Sequence, residues 1–97
     1  MPSPTVLVVE YEPRYLDRLR QAFKGRPFTP QFARDGEEAL RAFDAGRPAA
    51  IVLSWILPKT SAAELIRAVR ERPGGAATKI LITVSGYSGT NPVSDAK

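Results

Sequence analysis

An α/β fold with a doubly wound parallel sheet, in strand order 2-1-3-4, is predicted for this 97-residue chain by three observations. Continuous apolar runs at Thr5–Val9 and Ala50–Leu53 lack polar alternation, as strands covered on both faces do, and Lys79–Val84 reads as a fourth strand. Segments with helical apolar spacing separate them, joined by short connections, which argues for parallel βαβ units with right-handed crossovers. The remaining extended stretch, Pro27–Ala33, carries two prolines that cannot donate to a central ladder, so it belongs at a sheet edge.

Each element has its own local justification. After the first strand come Glu10, Tyr11, Glu12 and Pro13; Glu12 suits a helix N-terminus and Pro13 the first helical position. Leu16, Leu19, Ala22 and Phe23 make the apolar stripe of that helix, and Gly25 is its stop. Asp35 caps a second helix with Glu38 three residues on, and Ala39, Leu40, Ala42 and Phe43 form its buried face until Gly46 and Pro48. The third strand, Ala50–Ser54, is the centre of the chain, because function in an open α/β sheet is sought past the carboxyl ends of central strands. The residue at its tip is Ser54. Ser61 and Glu64 fit a capping box ahead of a helix that buries Leu65, Ile66 and Val69 and runs to about Arg72, where Pro73, Gly74 and Gly75 break it. The fourth strand closes on Ser85, Gly86 and Tyr87.

Composition narrows the chemistry further. The chain is one domain, long enough to bury only about 60–65% of its unfolded surface. It is 43% hydrophobic and 25% charged, has no run long enough to span a bilayer and shows no signal peptide, so a cytoplasmic location and no membrane are expected. With no cysteine and no histidine it has no disulfide, no thiolate metal site and no imidazole base, which excludes most hydrolase and zinc chemistry. The net charge of +4 invites a nucleic-acid reading. Asp17, Glu64 and Glu71 interrupt the arginines, however, and solvated helix faces explain them without a ligand.

Taken together, the segments Val8–Pro13, Asp35–Leu40, Ile51–Pro58 and Val84–Gly86 resemble the receiver domain of two-component response regulators, over nearly the whole chain. The resemblance implies a flavodoxin-like receiver fold over residues 1–97, lacking strand 5 and the last helix, as in a C-terminally truncated domain. It also implies that Ser54 stands where the family carries its phosphoacceptor aspartate, and that Glu10 and Tyr11 stand where it carries a Mg²⁺-binding acidic pair. Ser85 stands at the family's hydroxyl position, although a plain turn residue before Gly86 explains it equally well. The family's strand-5 lysine has no counterpart, and Ala62 replaces a usual glycine.

An acyl phosphate forms on a carboxylate, whereas a serine hydroxyl is a poor nucleophile without a base. A hard ion such as Mg²⁺ demands several oxygen ligands. The leading expectation is therefore a degenerate pseudo-receiver: no enzyme, no cofactor and no metal, acting in bacterial signal transduction through a protein partner, independently of phosphorylation. Candidate contacts are Trp55, Ile56, Lys59 and Tyr87, with Tyr11 beside them. Trp55 has two readings, an interface anchor or a ring packed on the first helix or next loop. A homodimer through strand 4 or a C-terminal swap would satisfy the open sheet edge. The alternatives are a phosphoacceptor that retains divalent-metal binding in a phosphorelay, and a basic nucleic-acid-binding module.

Overall fold

The computed structural model describes residues 4–83. Its four parallel strands are β1 (Thr5–Val9), β2 (Thr29–Ala33), β3 (Ala50–Ser54) and β4 (Lys79–Thr83), in the order β2-β1-β3-β4. Helices α1 (Pro13–Phe23), α2 (Gly36–Gly46) and α3 (Ala62–Arg70) connect them, and a short 3-10 turn at Gly75–Ala77 leads into β4. The expected sheet order holds. Pro30 lies in β2 at the sheet edge, pairing with Val6, where a missing N–H can face away from the ladder. The expectations for strand 5, the last helix, Ser85 and Tyr87 fall outside the described residues.

Strand alternation divides the core between the two faces of the sheet. Leu7, Val9, Ile51 and Leu53 point to the side covered by α2 and α3, where they meet Ala39, Phe43, Ala62, Leu65 and Val69. Val6 and Val8 face the other side, with Leu16 of α1. One described helix cannot cover that whole face, so Val52 is only half-buried, and β3 is less enclosed than its apolar run suggests. β4 is more open still: Ile80 is half-buried while Leu81 and Ile82 are exposed.

Most helix ends follow the local sequence. Glu12 caps α1 by accepting from the Arg14 N–H, and Gly25 beyond its end takes φ 73°. Asp35 caps α2 by accepting from the Glu38 N–H at 2.9 Å. Helix α2 runs through Gly46, and the left-handed residue that ends it is Arg47, at φ 45°. Ser61 and Glu64 close the capping box on α3, at 3.1 Å in each direction.

The backbone N–H and hydroxyl of Ser61, with a smaller contribution from Arg67, hold the Glu64 carboxyl below its ordinary value of 4.5. A folded-state value below the unfolded one gives stability that is complete above the unfolded pKa and fades as pH falls through the folded pKa. Glu64→Gln is therefore expected to be less stable than the parent at neutral pH, with the gap shrinking below about pH 4. Thermal unfolding of both proteins across that range checks it; a gap that stays constant with pH would contradict the assignment.

The α3–β4 connection is tied down by one arginine. Arg70 donates from Nη1 to the carbonyls of Gly75 at 2.7 Å, Ala76 at 3.3 Å and Thr78 at 2.6 Å. The Thr78 hydroxyl donates to the Gly74 carbonyl at 3.0 Å, and Gly74 turns the chain at φ 81°. Arg72 adds a link to α2, with Nε 2.8 Å from Asp44 Oδ1. Together these bonds fix where β4 begins, and so fix the level at which Thr83 meets the end of β3.

Candidate functional site

The carboxyl edge of the sheet brings the sequence-predicted residues to one level. Val9 pairs with Leu53 across β1 and β3, so the next residues, Glu10 just past β1 and Ser54 at the last position of β3, stand side by side. Ser54 also pairs with Thr83 of β4, and the Trp55 N–H donates to the Thr83 carbonyl at 2.8 Å. Ser54 is 1% exposed and Glu10 is 3% exposed. Both polar groups are thus sealed beneath the edge.

Their hydrogen bonds show what they do there. The Ser54 hydroxyl donates to the Ile56 carbonyl at 3.2 Å, and its oxygen accepts from the Ile56 N–H at 3.3 Å. That pair folds the chain back immediately after β3. Glu10 Oε2 accepts from the Glu12 N–H at 3.0 Å, and the Glu10 N–H donates to the Ala33 carbonyl at 3.0 Å. The buried carboxylate therefore organises the β1–α1 loop. Glu12, whose Oε1 accepts from the Arg14 N–H at 3.3 Å, is committed to the start of α1. Among the described residues, no group of three or more Asp or Glu side chains is gathered as a metal centre.

The apolar candidates lie outside this sealed layer. Tyr11, Trp55 and Ile56 are each about half exposed. The Arg34 guanidinium lies 5.9 Å from the Tyr11 ring centroid. Lys59 has a local role: at φ 68° it turns the β3–α3 loop, and its Nζ lies 3.8 Å from Asp35 Oδ2 at the cap of α2. Thr60 follows against Gly36, where an added Cβ would come within 3.0 Å of the Thr60 Cβ. Ser85 and Tyr87 lie outside the described residues.

Thr83 is a site residue that the sequence reading passed over. Its hydroxyl oxygen is buried beside Ser54 and has no hydrogen-bond partner among the described residues. The available signal was a polar residue closing the apolar run Ile80–Ile82.

A doubly wound parallel sheet with a buried polar cluster past its two central strands defines a class of single-site α/β domains. Comparison with known proteins narrows the class. The chain is 35% identical over 66 residues to the transcriptional regulatory protein TrcR of Mycobacterium tuberculosis, covering 68% of this chain and 26% of TrcR. It is 32% identical over 68 residues to the response regulator MprA of Mycobacterium ulcerans, covering 70% of this chain and 29% of MprA. The chain thus spans little more than a quarter of the length of these curated relatives. No family model matches the sequence.

Among solved structures, a response regulator receiver protein from Pseudomonas putida superposes with a TM-score of 0.78 at 26% identity, covering 99% of this chain and 76% of that one. The Vibrio cholerae chemotaxis protein CheY4 gives a TM-score of 0.81 at 22% identity, covering 97% and 76%, a likeness of fold. The chain is a receiver domain of the response regulator family, a module of signal transduction.

Proposed function

We propose that this receiver domain works as a protein-protein interaction module without phosphorylation of its strand-3 position. The observation that carries the reading is the state of Ser54, buried and bonded through its hydroxyl to both backbone groups of Ile56. A nucleophile must leave those bonds to reach a phosphoryl donor, and the chain has no histidine to take its proton. The donor set also fits Mg²⁺ poorly. It offers one buried carboxylate, Glu10, with one oxygen on the Glu12 N–H, where a hard ion needs oxygen ligands in near-octahedral geometry.

The partner-facing surface in this reading is the rim above the sealed cluster: Tyr11, Trp55 and Ile56, with Lys59 adjoining and Tyr87 as an expected contributor. Large amphipathic rings half open to solvent are the side chains that anchor protein interfaces. Self-association along β4 is a further part of the proposal. Leu81 is 65% exposed on a strand whose neighbour in the described sheet is β3 alone.

Incubation with acetyl phosphate followed by intact-mass spectrometry tests the phosphorylation-independent reading. The expected spectrum shows no phosphate adduct; a stoichiometric adduct mapped to Ser54 would overturn it. Light scattering over a range of protein concentrations addresses self-association, for which the expected result is a mass that rises with concentration and falls back when Leu81 is replaced by lysine. A constant monomer mass would remove that part of the proposal.

A further inference from the structure

On the far side of β1 from the α2–α3 layer, a cleft of about 250 Å³ opens between α1 and the end of β2. Pro13, Leu16, Asp17, Arg20 and Arg34 line it. Its two arginines come from different elements. The ion pairs among the described residues are Arg14–Glu12, Lys59–Asp35 and Arg72–Asp44, so neither Arg20 nor Arg34 has a described carboxylate partner. Instead each guanidinium lies against an aromatic ring, Arg20 4.9 Å from the Phe32 centroid and Arg34 5.9 Å from the Tyr11 centroid. A stacked guanidinium is held in place by its face, while its N–H donors point outward in its plane.

We propose that this cleft binds a small organic oxyanion, a carboxylate or phosphate monoester on a compact apolar body. Arg20 and Arg34 supply charge-assisted hydrogen bonds to the head group. Leu16, itself 7% exposed, and Pro13 supply an apolar floor for the body. The size of the cleft sets the scale of the ligand, since pockets for drug-sized molecules run from about 300 to 1,000 Å³. Asp17 on the wall opposes the anion and tempers its affinity. The site does not depend on the state of Ser54, which closes β3 and does not line the cleft.

Nitrogen-proton correlation spectra of the whole chain, titrated with phenyl phosphate, benzoate and inorganic phosphate, test the proposal. The expected result is saturable shifts at Leu16, Asp17, Arg20 and Arg34, with phenyl phosphate binding about tenfold tighter than inorganic phosphate because its ring covers the floor. Arg20→Gln and Arg34→Gln are each expected to weaken phenyl phosphate by about tenfold. Asp17→Asn should strengthen it severalfold, and Arg41→Gln on α2 should leave it unchanged. The same spectra report whether each variant is folded. The proposal is overturned by the absence of saturation, or by shifts spread equally over Arg18, Lys24, Arg26 and Arg41, the pattern of diffuse charge attraction.

Discussion

Gly75→Ala is expected to lower the unfolding free energy by more than about 3 kcal/mol, toward the extreme for a change of one methyl group. Gly75 is buried in the turn before β4, and an added Cβ would overlap the Val69 carbonyl oxygen and come within 2.7 Å of its carbon. Those atoms are helix backbone and cannot swing aside. Relief would require moving the turn off the end of α3, which breaks the Arg70 bonds to the Gly75 and Thr78 carbonyls. Gly25 is the natural control. It sits at φ 73° with nothing within 4 Å of the place a methyl group would take, so Gly25→Ala should cost only the left-handed backbone term of about 1–2 kcal/mol. Urea unfolding of both variants checks the contrast, and equal losses would show that the close approach at Gly75 is readily relaxed.

Ser54→Asp, which writes the family's acceptor residue into this chain, is expected to cost about 3–5 kcal/mol at neutral pH without divalent metal. The new carboxylate would be buried beside Glu10 and could not reproduce the hydroxyl's donation to the Ile56 carbonyl. Burial and a like charge both raise the folded-state pKa of such a group. A raised acid pKa means the folded state binds more protons than the unfolded one as pH climbs between the two values, so stability falls across that window. The deficit should therefore be largest at neutral pH and shrink below about pH 4. Ser54→Ala keeps the site uncharged and should cost only about 1–2 kcal/mol for the lost turn bonds. A Ser54→Asp protein as stable as the parent at neutral pH, with no added slope against pH, would mean the edge is open to water rather than sealed.

Much of the fold was legible because it is written in local chemistry. The prolines around β2 placed that strand at the edge, and Ser61 with Glu64 announced the start of α3. The unalternating run Ala50–Leu53 placed β3 in the interior of the sheet and Ser54 at its carboxyl tip. What could not be read depends on residues brought together by packing. Pro73, Gly74 and Gly75 look alike as helix breakers in sequence, yet Gly74 is needed for its positive φ and Gly75 for its closeness to Val69. Arg47 takes the left-handed turn that Gly46 would accept more easily, a choice that local propensity does not anticipate.

The site was legible in position and less so in role. The resemblance to receiver domains put Ser54 and Glu10 at one site, but not that each is occupied with backbone groups of its own loop. Lys59, read as a contact for a partner, also lies 3.8 Å from Asp35 at the cap of α2, a neighbour that spacing does not reveal. Thr83 went unnoticed because its importance lies in the register of β4 against β3, which sequence spacing leaves undetermined. The Arg20–Arg34 cleft joins α1 to the residue after β2, and no linear pattern connects the two.

The most direct test of a receiver that acts without metal or phosphate is the fluorescence of Trp55, the single tryptophan and the residue next to Ser54, during titration with Mg²⁺ and then with beryllofluoride. Half-exposed at the rim of the sheet edge, its indole would register an ion entering beside Glu10. The expected result is a flat response to both reagents in a folded sample. A saturable change with Mg²⁺, strengthened by beryllofluoride, would contradict the reading and place a working phosphoacceptor site at the end of β3.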